Sequence, residues 1–174
     1  MVLIAGLFTA AVDATLAAGP DKPNVVIFYI DDMAEGLLAC YGSDLVPTPH
    51  IDALASDGVR FTQGYVTACM CAPSRVGLMT GRYQQSFGHD GNYRRPSQRN
   101  PNPVLGLDLD QTTFAQRMKN SGYVTGVSGK WHLGHEEGYL PVARGFDFSF
   151  GSVDNLGFDK ETREAKGNFF RGSE

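Results

Sequence analysis

Three short stretches of this 174-residue sequence combine side chains that could perform chemistry together. The first is the run CAPSR, which places Cys71 two residues before Pro73 and four before Arg75. If a helix starts near Pro73, Cys71 lies at its N-terminal end, where backbone N–H groups and the helix dipole favour an anion. A thiol in that place is a candidate nucleophile, and Arg75 follows about one turn later. The alternative is a buried structural cysteine beside a surface arginine.

The second stretch is the pair of adjacent carboxylates Asp31 and Asp32, directly after the apolar run at 24–30. Neighbouring carboxylates repel each other unless a cation lies between them or water solvates them. Hard divalent ions bind carboxylate oxygens, so the pair predicts a Ca²⁺ or Mg²⁺ site. A solvated turn or a helix cap is the alternative.

The third stretch is GKWHLG, in which Lys130 and His132 stand two residues apart. On an extended segment such residues point the same way. A cation and an imidazole on one face suit an anionic ester, with the imidazole as proton donor or acceptor. Two exposed polar residues are the alternative. Together the three stretches predict a hydrolase that acts on esters of a tetrahedral anion.

Hydrophobic periodicity predicts the elements that must position these residues. The runs at 24–30 and 123–127 read as buried strands of a parallel sheet. Three helices are predicted, at 50–56, 73–79 and 112–120, ended by Gly58, Gly81 and Gly122 and with Thr112 as the cap of the last. Alternating strands and helices indicate an α/β fold, whose functional groups gather at the carboxyl ends of strands.

The composition excludes several classes of protein. With 42% hydrophobic residues the chain can bury a core, and its net charge of −4 is spread without a basic patch, so nucleic-acid binding is not expected. The densest basic cluster is predicted to be a solvated loop and consists of Arg94, Arg95 and Arg99. Three cysteines are too few for a disulfide framework, although a bridge between Cys40 and Cys69 stays open. A redox protein built on Cys69-x-Cys71 has no other support in the sequence.

The first 19 residues are apolar and small and end in small residues near 17–19, which predicts a signal peptide and export, although the usual basic start is missing. They are too short and too alanine-rich for a membrane span. Residues 22–174 then form the predicted domain.

At this point a family resemblance is evident. Residues 22–151 are similar to the N-terminal part of type I sulfatases, in the alkaline-phosphatase-like superfamily. The matching runs are Pro23–Asp32, Thr48–Asp52, Cys71–Arg75 with Leu78–Arg82, and Gly129–Gly134. The resemblance implies a sandwich with a mostly parallel central sheet and helices on both faces. Because sulfatases are substantially longer, residues 22–174 are expected to be a truncated catalytic domain with an incomplete sheet.

The resemblance gives Cys71 a specific chemistry. In sulfatases a maturation enzyme reads C-x-P-x-R on the unfolded chain and oxidises the cysteine to formylglycine, an aldehyde. One oxygen of its hydrate attacks sulfur and displaces the alcohol, which leaves a covalent sulfate ester on the residue. The second hydroxyl then expels the sulfate and restores the aldehyde. Pro73 and Arg75 would mark Cys71 for this modification.

Further roles are implied for the other stretches. Asp31 and Asp32 would bind a metal, Ca²⁺ with Mg²⁺ as the alternative, and the modified Cys71 would share that metal. Arg75 would hold the formylglycine or the metal-site carboxylates. Lys130 would bind the sulfate oxygens. His132 would orient the formylglycine hydroxyl or assist its proton transfer. The substrate would be an aryl or carbohydrate sulfate.

Departures from the family pattern leave alternatives open. The second metal-ligand pair of sulfatases lies further along, and Asp154-Asn155 is interpreted as a loop, so the chain as given is expected to be inactive by itself. A phosphonate or phosphodiester hydrolase of the same superfamily fits the cysteine motif as well. A non-catalytic truncated sulfatase that binds sulfated glycan is the third alternative. The 84–110 region is predicted to be a plain surface loop, although His89, Tyr93 and Arg94 could line a pocket.

Overall fold

The computed structural model describes residues 22–93, 105–153 and 169–173, the last stretch by its backbone alone. It divides into two compact units, Met1–Val66 and Thr67–Glu174. Three predictions fall outside the described residues: the signal peptide at 1–19, the basic cluster at 94–99 and the loop at Asp154-Asn155. In the part of the chain that is described, no helix is long and apolar enough to cross a membrane.

The first unit contains helix α1, Pro49–Asp57, preceded by two short 3-10 helices at Glu35–Leu37 and Ala39–Tyr41. Proline opens α1 because the missing N–H is not needed in a first turn, and Gly58 follows the last helical residue. The helix predicted at 50–56 is therefore confirmed.

The apolar run at 24–30 was predicted to be a buried strand, and this is wrong for the described structure. The run carries no strand pairing, and Val25, Phe28 and Ile30 are 53%, 49% and 40% exposed. A strand needs a ladder partner, and an apolar strand needs cover on both faces. Among its described residues the first unit contains no strand that could supply that partner.

The second unit begins with helix α2, Cys71–Thr80, which starts two residues before the predicted position. Gly81 ends it in the left-handed conformation, φ 65°, as the glycine signal predicted. Helix α3 spans Phe114–Asn120. Its cap is Thr113, one residue after the predicted Thr112, because the Thr113 hydroxyl accepts from the N–H of Gln116 and the Gln116 amide accepts from the N–H of Thr113.

The sheet has three described strands in the order β1-β2-β3: Gly126–Lys130, Phe148–Ser152 and Phe169–Ser173. Strands β1 and β2 are parallel, whereas β2 and β3 are antiparallel. The described sheet is thus mixed, and its first strand starts three residues later than the predicted run at 123–127. Short 3-10 helices lie at Gln84–Phe87, Glu137–Tyr139 and Val142–Arg144.

The core of the second unit joins α2, α3 and the segment that follows β1. Its buried members are Ala72, Val76, Met79, Tyr93, Leu107, Ala115, Trp131, Leu133 and Phe146. Helices packed with a partly parallel sheet confirm the predicted α/β class. The core also places the start of α2 in the same cluster as the segment after β1.

Candidate active site

Cys71 is the first residue of α2 and is partly buried, while the next three residues are buried. Met70 before it has an extended backbone, φ −97° and ψ 148°, so the helix begins at the cysteine itself. The positive end of the helix dipole and the first N–H groups therefore lie beside Cys71. This is the placement that the sequence predicted for an anion-binding nucleophile.

Arg75 joins the cysteine helix to the end of β1. Its Nη1 donates a hydrogen bond to the backbone carbonyl of Lys130 over 2.6 Å. The two residues are 55 positions apart in the chain. The structure therefore brings two of the predicted motifs together, with Arg75 holding the backbone at Lys130. Its expected action on formylglycine or on metal-site carboxylates stays a prediction.

The segment after Lys130 is held by its backbone. The N–H of Trp131 donates to the carbonyl of Ser152 at 2.7 Å, and the N–H of His132 donates to that of Val153 at 2.9 Å. The indole of Trp131 donates to the Tyr139 carbonyl at 2.8 Å. His132 is only 4% exposed. The backbone at Trp131 and His132 is thus held by hydrogen bonds to Ser152 and Val153.

His132 has a left-handed backbone, φ 57°. The extended strand ends at Lys130, so the alternation argument that placed Lys130 and His132 on one face is wrong at His132. Asp32 has φ 56°, and among the described residues these two are the non-glycine positions with positive φ. Such backbone strain clusters at functional sites, and here it falls on two predicted site residues.

Asp31 and Asp32 lie at an exposed turn of the first unit. Adjacent exposed carboxylates fit the oxygen ligands of a hard divalent cation. Calcium, however, binds six to eight oxygens. No group of three or more His, Cys, Asp and Glu side chains comes together within the described ranges. The pair fits as a part of a metal site and not as the whole of one.

The Thr48–Asp52 run has a structural role in the first unit. Asp52 Oδ1 accepts from the N–H of Cys40 at 2.8 Å and from the Thr48 hydroxyl at 3.0 Å. The Thr48 oxygen accepts from the N–H of Ala39 at 3.0 Å. Burial, and then Asp52, raises the pKa of the Cys40 thiol. Cys40, Cys69 and Cys71 are all free thiols, so the bridge that the sequence left open is not formed.

His89 and Tyr93 are buried, against the prediction of a plain surface loop. They are 3% and 9% exposed, and their rings lie 4.9 Å apart in an edge arrangement. The Tyr93 ring is 6.4 Å from the ring of His132. Burial lowers the pKa of His89 and raises the pKa of Tyr93. No hydrophobic periodicity in the sequence indicated this burial, because the surrounding residues are of types that favour turns.

Comparison with known proteins identifies the family. The sulfatase family model matches residues 23–169, which is most of the chain. The chain belongs to the sulfatase family. The human protein Arylsulfatase G is 43% identical over 130 residues, covering 75% of this chain and 24% of that protein. This sulfatase chain therefore spans about a quarter of the length of the curated relatives it matches.

Solved structures support the fold. The crystal structure of Ps i-CgsB superposes with a TM-score of 0.68 at 30% identity, covering 82% of this chain and 34% of that one. A second structure of that protein is a complex with k-i-k-neocarrahexaose. A Bacteroides thetaiotaomicron protein, solved in work on the metabolism of multiple glycosaminoglycans, gives 0.65 at 35% identity and covers 82% and 29%. The alkaline-phosphatase-like fold and the sulfatase resemblance are confirmed.

Proposed function

We propose that this chain carries the nucleophile-bearing part of an enzyme that hydrolyses sulfate esters. The observation that supports this best is the hydrogen bond from Arg75 to the Lys130 carbonyl. It joins the helix that begins at Cys71 to the strand that ends at Lys130, in a chain that belongs to the sulfatase family. The nucleophile and the cationic side chain are thereby held by one unit of the protein.

Cys71, after conversion to formylglycine, would supply an aldehyde hydrate as the nucleophile. The N-terminus of α2 favours the sulfate anion beside it through its N–H groups and dipole. Lys130 would bind the sulfate oxygens and stabilise charge that develops on them. His132 would orient the hydroxyl on residue 71 or accept its proton. The buried, backbone-anchored position of His132 limits the movement of its ring and so supports that role.

Asp31 and Asp32 would hold the divalent cation, Ca²⁺ with Mg²⁺ as the alternative, and the modified residue 71 would share it. When bound, the cation supplies positive charge that favours the ionised nucleophile and the sulfate oxygens. The exposed, adjacent carboxylates support this assignment. Since they fall short of the oxygens that calcium binds, we propose that the 174-residue chain alone does not turn over sulfate esters.

The substrate class is an aryl or carbohydrate sulfate. The name of Arylsulfatase G supports the first, and the k-i-k-neocarrahexaose complex and the link to glycosaminoglycan metabolism support the second. A formylglycine-generating enzyme is the proposed maturation partner. Residues 1–19 are proposed as a signal peptide, which places the protein in an exported compartment.

The decisive experiment expresses the complete open reading frame of the gene, including whatever it encodes besides these 174 residues, with a formylglycine-generating enzyme. Mass spectrometry of the peptide that contains Cys71 is expected to show the aldehyde, and p-nitrophenyl sulfate or a sulfated saccharide is expected to be hydrolysed. Cys71→Ala should abolish turnover, whereas Cys69→Ala, a change two residues away, should keep it.

Three results would contradict the proposal. Faster turnover of a phosphodiester than of any sulfate ester would favour the related phosphodiesterase function. An unmodified thiol at Cys71 in the native host, together with binding but no hydrolysis of sulfated glycan, would favour a non-catalytic protein. Turnover by the 174-residue chain alone would refute its proposed inactivity.

A further inference from the structure

Helix α2 has no capping side chain of its own. The residue before Cys71 is Met70, whose thioether makes no capping hydrogen bond. An N-cap side chain ordinarily accepts from the second or third N–H of a helix. The third position here is Pro73, which has no N–H. Of the two N–H positions that a capping side chain ordinarily reaches, Ala72 is therefore the one that can donate at this end of the helix.

Asn92 supplies that acceptor from 20 residues away. Its Oδ1 accepts a hydrogen bond from the N–H of Ala72 at 3.1 Å. Because the donor is a backbone N–H, the amide oxygen and not the amide nitrogen must face the helix. The cap of α2 thus comes from a neighbouring loop and not from the residue before the helix.

The loop that carries Asn92 is anchored on both sides of it. The N–H of His89 donates to the carbonyl of Gln84 at 3.0 Å, and His89 is buried. Tyr93 belongs to the same core cluster as Ala72 and lies edge-on to His132. Asn92 itself is exposed between these buried neighbours. Its amide is therefore held against the helix by a loop that also packs beside His132.

We propose that Asn92 is a positioning residue for Cys71. The Ala72 N–H belongs to the rigid peptide plane that joins Cys71 to Ala72. Holding that N–H fixes the rotation of the plane about the Cys71 Cα and hence the direction of the Cys71 side chain relative to the helix. A small misplacement of a reacting group costs a large factor in rate. The Asn92 cap therefore controls the rate through the orientation of the nucleophile. This inference rests on the proposed function.

The test compares three variants of the protein, each expressed from the complete open reading frame of the gene together with the maturation enzyme. Asn92→Ala removes the acceptor, and Asn92→Asp retains an oxygen acceptor of similar capping strength. Thr113→Ala removes the cap of α3, which lies on another helix, and serves as the matched structural control. Each is measured by hydrogen exchange at Ala72, by Tm, by formylglycine content and by kcat and KM on p-nitrophenyl sulfate.

Asn92→Ala is expected to speed exchange at Ala72 by roughly fivefold or more. Its kcat per formylglycine should fall about 10- to 100-fold, with KM within about twofold of wild type. Asn92→Asp should restore both the protection of Ala72 and kcat. Thr113→Ala should lower Tm at least as much as Asn92→Ala and leave kcat unchanged.

Several results would overturn the inference. Unchanged hydrogen exchange at Ala72 in Asn92→Ala would show that Asn92 does not cap α2. This measurement needs no enzyme activity. Faster exchange with unchanged kcat would show a cap that does not position the nucleophile. Equal losses of kcat in Asn92→Ala and Thr113→Ala, or no rescue by Asn92→Asp, would show a general loss of stability. A wild-type protein that hydrolyses no sulfate ester would refute the proposed function and the positioning role together. The exchange rate at Ala72 would still show whether Asn92 caps α2.

Discussion

Gly151 in β2 lies directly opposite Gly129 in β1, at paired positions of the parallel ladder. A Cβ atom at position 151 would overlap the carbonyl oxygen of Gly129. The residue after Gly129 is Lys130, whose carbonyl receives the Arg75 hydrogen bond. The close approach of two glycines therefore determines where the backbone of a proposed sulfate-binding residue lies.

Gly151→Ala is expected to push β1 and β2 apart. The added methyl group meets backbone and not a flexible side chain, so we expect a loss of about 1–3 kcal/mol in the free energy of unfolding. Urea unfolding measures it. Gly126→Ala, at the other end of β1, is the control, because its Cβ would lie 4.0 Å from its nearest neighbour, the Phe148 carbonyl. Equal stability of the two variants would show that β1 and β2 can separate without cost.

Arg75→Lys tests whether the Arg75 guanidinium matters after maturation. Lysine keeps the charge but lacks the planar fork that reaches the Lys130 carbonyl. We expect kcat/KM on a sulfate ester to fall about tenfold or more, which corresponds to about 1.4 kcal/mol. Because Arg75 is also part of the modification motif, the rate is divided by the formylglycine content from mass spectrometry. Arg117→Lys, an exposed arginine on α3, should retain wild-type activity. If the Arg75→Lys rate equals the wild-type rate after this correction, Arg75 acts in the modification of Cys71 and not in catalysis.

Local signals predicted the helices well. Gly58 and Gly81 follow the last residues of α1 and α2 as expected. Gly81 takes the left-handed conformation that glycine favours after a helix, whereas Gly58 has φ −119°. The cap of α3 was misplaced by one residue, because Thr112 and Thr113 are equally good cap residues. The structure uses Thr113, which forms a capping box with Gln116 and also donates to the Arg144 carbonyl. Apart from the Arg144 contact, these features depend on residues within a few positions of each other.

Features that depend on distant partners could not be predicted in this way. The run at 24–30 has the composition of a buried strand, yet its burial depends on neighbours elsewhere in the chain. The three motifs of the candidate site were visible from residue types and spacing. The left-handed backbone of His132 and the burial of His89 were not, because tertiary hydrogen bonds and packing impose them.

Asp147 is a carboxylate whose ionisation supports the start of β2. Its Oδ2 accepts from the N–H of Thr125 at 2.8 Å and from the Thr125 hydroxyl at 3.0 Å, and its Oδ1 lies 3.0 Å from Lys119 Nζ. The Thr125 backbone hydrogen bond, followed by Lys119, lowers the pKa of Asp147 below its ordinary value of 3.8. The folded state therefore favours the ionised carboxylate.

Asp147→Asn should accordingly show a pH-dependent loss of stability. Because the pKa is lowered on folding, the stabilisation is fully present above pH 3.8 and is lost as the pH falls through the lower folded value. We expect the variant to be less stable by about 1 kcal/mol near neutral pH, a modest figure because solvent screens the ion pair. The difference from wild type should shrink steadily below pH 3.8 in urea unfolding at a series of pH values.

Lys119→Met separates the two causes of that pKa shift. It removes the ion pair and leaves both Thr125 hydrogen bonds in place. Since the Thr125 backbone hydrogen bond is the larger cause, Lys119→Met should retain most of the pH dependence that Asp147→Asn abolishes. If Lys119→Met instead removes the pH dependence entirely, the ion pair and not the backbone N–H controls the ionisation of Asp147. A stability difference for Asp147→Asn that stays constant through the acid range would contradict the lowered pKa itself.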